Sequence, residues 1–112
     1  MSKFVEAVET YMAQVNELNL GLDEALVTAV AKSLGPSIYN ADSSKVSGSD
    51  QTELDRVKQN FLVGKLGLDE SPALDQAIDE VMEQLGRSNK YKYRALVYAL
   101  LAKKFGKEAL YQ

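Results

Sequence analysis

The sequence predicts an all-α protein: a compact bundle of five to six helices in which two helix hairpins pack around a buried C-terminal helix. Three observations carry this. Apolar residues recur at helical spacing through most of the chain. Gly and Pro fall between those periodic runs. The stretch Ser88 to Gly106 contains eight consecutive apolar or aromatic residues, Ala95 to Ala102, so a helix there is hydrophobic on all sides and must be wrapped by others.

The first helix is expected from about residue 2 to Leu18. Phe4, Val8, Tyr11, Val15 and Leu18 lie on one stripe, widened by Val5 and Met12. After the break Leu20-Gly21-Leu22, Asp23 is placed to cap a second helix, and Leu22 to staple onto Val27. Leu26, Val27, Val30, Ala31 and Leu34 form its buried side, and Gly35-Pro36 closes it. The Ser-, Asn- and Asp-rich segment 36–49 reads as a long connection with a turn of helix near Ser37–Ala41. Ser49 or Asp50 caps a third helix, and Asp50 with Glu53 has capping-box spacing. Its stripe is Leu54, Val57, Phe61, Leu62 and Leu66, with Gly64 inside and Gly67 at the end. A glycine inside a helix costs up to ~1 kcal/mol relative to Ala, which suggests a close backbone approach. Ser71-Pro72 starts the fourth helix, whose inner face is Leu74, Ala77, Ile78, Val81, Met82 and Leu85. Asp75, Asp79 and Glu83 line its outer face. A straight row of carboxylates cannot surround a cation, so this reads as a solvated face. The last helix is expected over about 89–105, capped by Ser88 or Asn89 and ended by Gly106, with Lys103 and Lys104 in its final turn.

An internal repeat underlies this order. A shift of 46 lays Val8, Tyr11, Val15 and Leu20 on Leu54, Val57, Phe61 and Leu66, and Gly21-Leu22-Asp23-Glu24 on the identical Gly67-Leu68-Asp69-Glu70. A shift of 51 then lays Val27, Val30, Leu34 and Gly35 on Ile78, Val81, Leu85 and Gly86. The halves are about 2–35 and 49–86. Two separately evolved hairpins sharing one turn chemistry give the same architecture.

At 112 residues the chain is one domain, 1–112, large enough to hold a core without staples. It has no Cys and no His, which excludes disulfides, thiolate or imidazole metal sites and His-dependent triads. The pairs Asp23-Glu24 and Asp69-Glu70 are explained by helix starts, and sequence neighbours do not face each other as an acid/base dyad. No phosphate-binding Gly-rich loop occurs, since LGLDE lacks the Lys-Ser/Thr of such loops. The reading is therefore not an enzyme, with no metal and no cofactor. No spanning segment or leader is evident, so the expected location is the cytoplasm.

The net charge of −3 hides an asymmetry. Residues 1–86 carry six Lys/Arg and fifteen Asp/Glu, net −9, and residues 87–112 carry seven Lys/Arg and one acid, net +6. The expected consequence is internal complementarity, the basic segment lying on acidic faces. The other reading is an anion-binding segment, Arg87, Lys90, Lys92 and Arg94 with Tyr91 and Tyr93 interleaved, for a phosphorylated ligand or nucleic acid. Nucleic acid is disfavoured by the acidic whole. The leading expectation is a non-enzymatic interaction or structural protein, a homo-oligomer or the partner of another protein, because Tyr39, Tyr98, Phe105, Leu110 and Tyr111 cluster near loops and the chain end.

The stretches NFLVGKLGLDESPALDQAIDEVMEQLG (Asn60 to Gly86) and SNKYKYRALVYALLAKKFGK (Ser88 to Lys107), with VSGSD before the third helix, resemble the family called domain of unknown function 2853. That resemblance implies an all-helical protein of bacterial cytoplasm and brings no activity or site residues.

Overall fold

The computed structural model describes residues 3–40, 44–46, 50–86, 88–89 and 92–111. Among these, the chain folds as α1 (Lys3–Leu18), α2 (Glu24–Leu34), a 3-10 turn (Gly35–Tyr39), α3 (Gln51–Arg56) continuing as a π-helical segment (Val57–Lys65), α4 (Pro72–Leu85), α5 (Arg94–Lys104) and a closing 3-10 turn (Glu108–Tyr111). The protein is all-α, and among the described residues extended pairing is limited to one isolated bridge between Lys45 and Tyr93.

α5 is the centre of the fold. Ala95, Leu96, Val97, Ala99, Leu100, Leu101 and Ala102 are buried, and the helix packs against α1, α2 and α4. Because it turns apolar side chains in every direction, burial on all sides is its stable arrangement. The helix starts at Arg94 and not near 89. The reason lies in the backbone: Val46 N–H donates to the Lys92 carbonyl at 2.8 Å and Arg94 N–H to the Ser44 carbonyl at 2.8 Å. That pairing holds 92–94 extended and spends groups a longer helix would need. Ser44 and Val46 are themselves buried, so the 44–46 segment is a strap tied across the start of α5.

The other helices follow their stripes. α1 buries Val8, Tyr11 and Val15, α2 buries Val27, Val30 and Ala31, and all six expected positions of α4 are buried. Val5, placed on the α1 stripe by spacing, is exposed. The turn of helix expected near Ser37–Ala41 is the 3-10 turn Gly35–Tyr39, and Ala41 lies outside the described residues. Asp50 caps α3, accepting from Thr52 N–H at 3.0 Å and Glu53 N–H at 3.4 Å.

The third helix departs from the expected α geometry. After Arg56 it widens into nine residues of π-helix. Its buried residues are Val57, Phe61, Leu62 and, just past its end, Leu66, which recur every four to five positions, whereas an α-helix repeats every three to four. In α geometry the turn after Phe61 and Leu62 would bring Lys65 inward. The wider turn brings Leu66 inward and leaves Lys65 exposed. Gly64 fits this geometry. A Cβ there would sit 3.2 Å from the Gln59 carbonyl oxygen, so the close backbone is that of its own helix, five residues back.

Candidate functional site

The basic segment that the sequence nominates is drawn inward where it is described. Arg87, Lys90 and Tyr91 lie outside the described residues. Lys92 is buried, and its ammonium donates to the Asn89 carbonyl at 2.6 Å. Arg94 opens α5, where the helix dipole disfavours a cation. Its guanidinium donates to Glu53 Oε1 at 2.6 Å, to the Tyr98 hydroxyl at 3.2 Å and to the Lys45 carbonyl at 3.4 Å. Burial disfavours its charge, but the Tyr98 and Glu53 interactions outweigh that and hold its pKa above the ordinary arginine value. Tyr98 in turn stacks on Phe61 of the π segment, ring centroids 4.0 Å apart. Lys92 and Arg94 therefore clamp the 44–46 strap and α3 onto α5. Glu53 is the partner that sequence reasoning misplaced: capping-box spacing assigned it to its own helix, and its carboxylate instead crosses to Arg94. A second pair, Lys104 with Glu80 at 3.5 Å, also joins the basic last segment to the acidic remainder.

Aromatic packing adjoins the strap at Tyr93, which bridges to Lys45. Tyr11 and Tyr93 meet with centroids 5.1 Å apart. Burial, with Tyr93 and Tyr39 adding to it, pushes the Tyr11 hydroxyl up to about 12, so it stays protonated and apolar-facing at neutral pH.

The two Gly-Leu-Asp-Glu turns share a backbone and differ in surroundings. Gly21 and Gly67 have φ of 67° and 69°, a left-handed conformation that glycine adopts without strain. Each turn is preceded by a hydrogen bond spanning five residues, Leu20 N–H to the Val15 carbonyl at 3.0 Å and Leu66 N–H to the Phe61 carbonyl at 2.8 Å. At the second turn one of the two acids is engaged. Glu70 accepts from Gln59 Nε2 at 3.1 Å and lies 3.6 Å from Lys58 Nζ, while Asp75 of the acidic row on α4 takes Lys58 at 3.1 Å. The hydrogen bond to Asp75 leads the causes that raise the Lys58 pKa.

At the first turn the acids are not engaged. Asp23 has N-cap backbone geometry, yet its carboxylate accepts no capping bond. With Ala25 and Leu26 of α2, Lys103 of α5, and Glu108 and Tyr111 of the closing 3-10 turn, it lines a cavity of 280 Å³. Lys103 Nζ donates to the Gly21 carbonyl. The Tyr111 hydroxyl has a hydrogen bond with Ser33, and burial raises its pKa. No ion pair joins Asp23, Lys103 and Glu108 to one another. The sequence explained Asp23 as a cap. The approach of Lys103, 82 residues away, left no local signal.

Among the exposed large apolar residues are Tyr39 and Leu110, about half exposed at 48% and 51%. Tyr98, Phe105 and Tyr111, grouped with them by sequence, pack against the core. Among the described residues no helix is long and apolar enough to cross a membrane. The family model described as protein of unknown function (DUF2853) matches residues 10–109. No curated protein matches the chain.

Proposed function

We propose, from the premise that the chain belongs to the DUF2853 family of proteins of unknown function, that it is a non-enzymatic interaction protein of the bacterial cytoplasm that works as a homodimer. One observation supports this most. The 3-10 turns carrying Tyr39 and Leu110 both pack on α2, so exposed apolar side chains flank one helix. Thr28 and Ala29 of that helix are themselves only half-buried. Isolated exposed hydrophobes are ordinary, whereas a contiguous patch marks a partner site. The duplication reading accompanies this proposal, supported by the identical turn and the matching five-residue hydrogen bonds.

The alternative, a phosphorylated ligand or nucleic acid at Arg87, Lys90, Lys92 and Arg94, has less support, because Lys92 and Arg94 already serve internal partners.

Light scattering after size exclusion, at two concentrations and at low and moderate salt, tests the proposal. A dimer mass insensitive to salt, reduced to the monomer by Tyr39→Ser with Leu110→Ser, is the expected result. A monomer at every concentration overturns the homodimer, and salt-dependent assembly overturns the apolar interface.

A further inference from the structure

The cavity beside the first Gly-Leu-Asp-Glu turn has a chemistry that folding does not require. Its 280 Å³ falls just under the ~300–1,000 Å³ of drug-sized pockets, which sizes its occupant near a single amino acid. Ala25 and Leu26 make the apolar part of the wall and Tyr111 contributes its ring. Two carboxylates, Asp23 and Glu108, and one ammonium, Lys103, complete it. Asp23 and Lys103 stand exposed at its rim, where a charged group needs no protein partner and can be reached by a ligand. Here Asp23 neither caps its helix nor pairs with Lys103. Lys103 is held in place by one bond to the Gly21 carbonyl, and an ammonium has three donors, so it keeps donors for another acceptor. At the second turn Gln59 and Lys58 engage Glu70, the counterpart of Glu24 and not of Asp23.

We propose that this cavity binds a small basic amino acid, with its cationic nitrogens on Asp23 and Glu108, its carboxylate on Lys103, and its methylenes against Leu26 and Tyr111. The sign follows from the wall: two negative groups and one positive complement a ligand with two positive groups and one negative. The first-turn N–H groups of α2, which the Asp23 carboxylate leaves uncapped, add to the attraction for the ligand carboxylate. This site does not rest on the oligomer reading, but it shares α2 and the closing 3-10 turn with the proposed dimer surface, so binding is measured on the Tyr39→Ser, Leu110→Ser chain as well.

The probe is free L-lysine, titrated into the full chain by calorimetry and by amide chemical shifts, with cadaverine, which lacks the carboxylate, as comparison. The expected result is saturable one-to-one binding with shifts confined to 21–26 and 103–111. Asp23→Asn, which keeps a good N-cap residue, and Glu108→Gln should each weaken it about tenfold or more, a loss of ~1.4 kcal/mol or more. Cadaverine should bind more weakly than lysine, and Lys103→Met should erase that preference while circular dichroism shows the helices intact. No saturation by about 10 mM lysine, equal binding by the carboxylate variants, or shifts spread over the surface would each overturn the proposal.

Discussion

The same four residues, Gly-Leu-Asp-Glu, occur at Gly21 and at Gly67, and the protein uses them differently. In the first half the helix before the turn stays α to Leu18, and a single five-residue bond closes it. In the second half the helix before the turn is π over nine residues. After the turns the contrast concerns charge: Glu70 is engaged by Gln59 and Lys58, whereas its counterpart Glu24 is exposed and Asp23 lines a cavity. An identical local sequence fixes the turn itself, because only the backbone of glycine takes φ near +67° without strain. What surrounds the turn is decided by residues far away in sequence.

The comparison can be broken at several points, from large effects to small. Phe61→Ala removes the ring that stacks on Tyr98 and fills the core of the π segment, and should cost about 3–5 kcal/mol in denaturant unfolding. Val15 is its counterpart in the first half, and Val15→Ala, which deletes fewer atoms, should cost clearly less. Arg94→Met leaves Glu53 half-buried and unpaired and removes the side-chain bond to the Lys45 carbonyl of the strap. A loss of about 1–3 kcal/mol is expected, between the values for exposed and buried pairs, with faster amide exchange at Val46. Gly64→Ala gives a sign test. In an α-helix it would stabilise by up to ~1 kcal/mol, whereas against the Gln59 carbonyl at 3.2 Å it should lower the melting temperature. Lys58→Met should produce the smallest change, and that change should fade in high salt because the pair is exposed.

Titration sharpens the aromatic end. The Tyr11 hydroxyl has a folded pKa of about 12 against an ordinary 10.0. The folded state therefore holds its proton where the unfolded state loses it, so stability is intact below pH 10 and falls as pH climbs towards 12. Alkaline melting curves should show that fall, and Tyr11→Phe should diminish it.

Much of the fold is legible in the sequence because its signals are local. The α4 stripe, the Pro72 start and the all-round hydrophobicity of α5 each sit within one element and were read with the right faces. The five-residue gap from Phe61 to Leu66 accompanies the π segment, but the same gap from Val15 to Leu20 follows an α-helix, so the gap alone does not mark π geometry and a stripe drawn for an α-helix absorbs it. The start of α5 differs from the expectation because a strap distant in sequence, Ser44 to Val46, takes the backbone groups of Lys92 and Arg94. The candidate site was the least legible part. Lys92 looked like a surface cation, and only its burial and its bond to Asn89 show otherwise. Glu53 has capping-box spacing, but its carboxylate takes a charge-assisted bond from Arg94 at 2.6 Å. Lys103 and Glu108 had no reason in the sequence to be drawn beside Asp23.

The most direct measurement of the difference between the two halves is scalar coupling across backbone hydrogen bonds by NMR. Amides near the end of the π segment, Leu66 above all, should couple to carbonyls five residues back, with Leu66 paired to Phe61, while amides within α1 couple to carbonyls four residues back. Four-residue couplings throughout 57–66 would contradict the account, because the two halves would then share one helix geometry and Leu66 would lose the register that buries it.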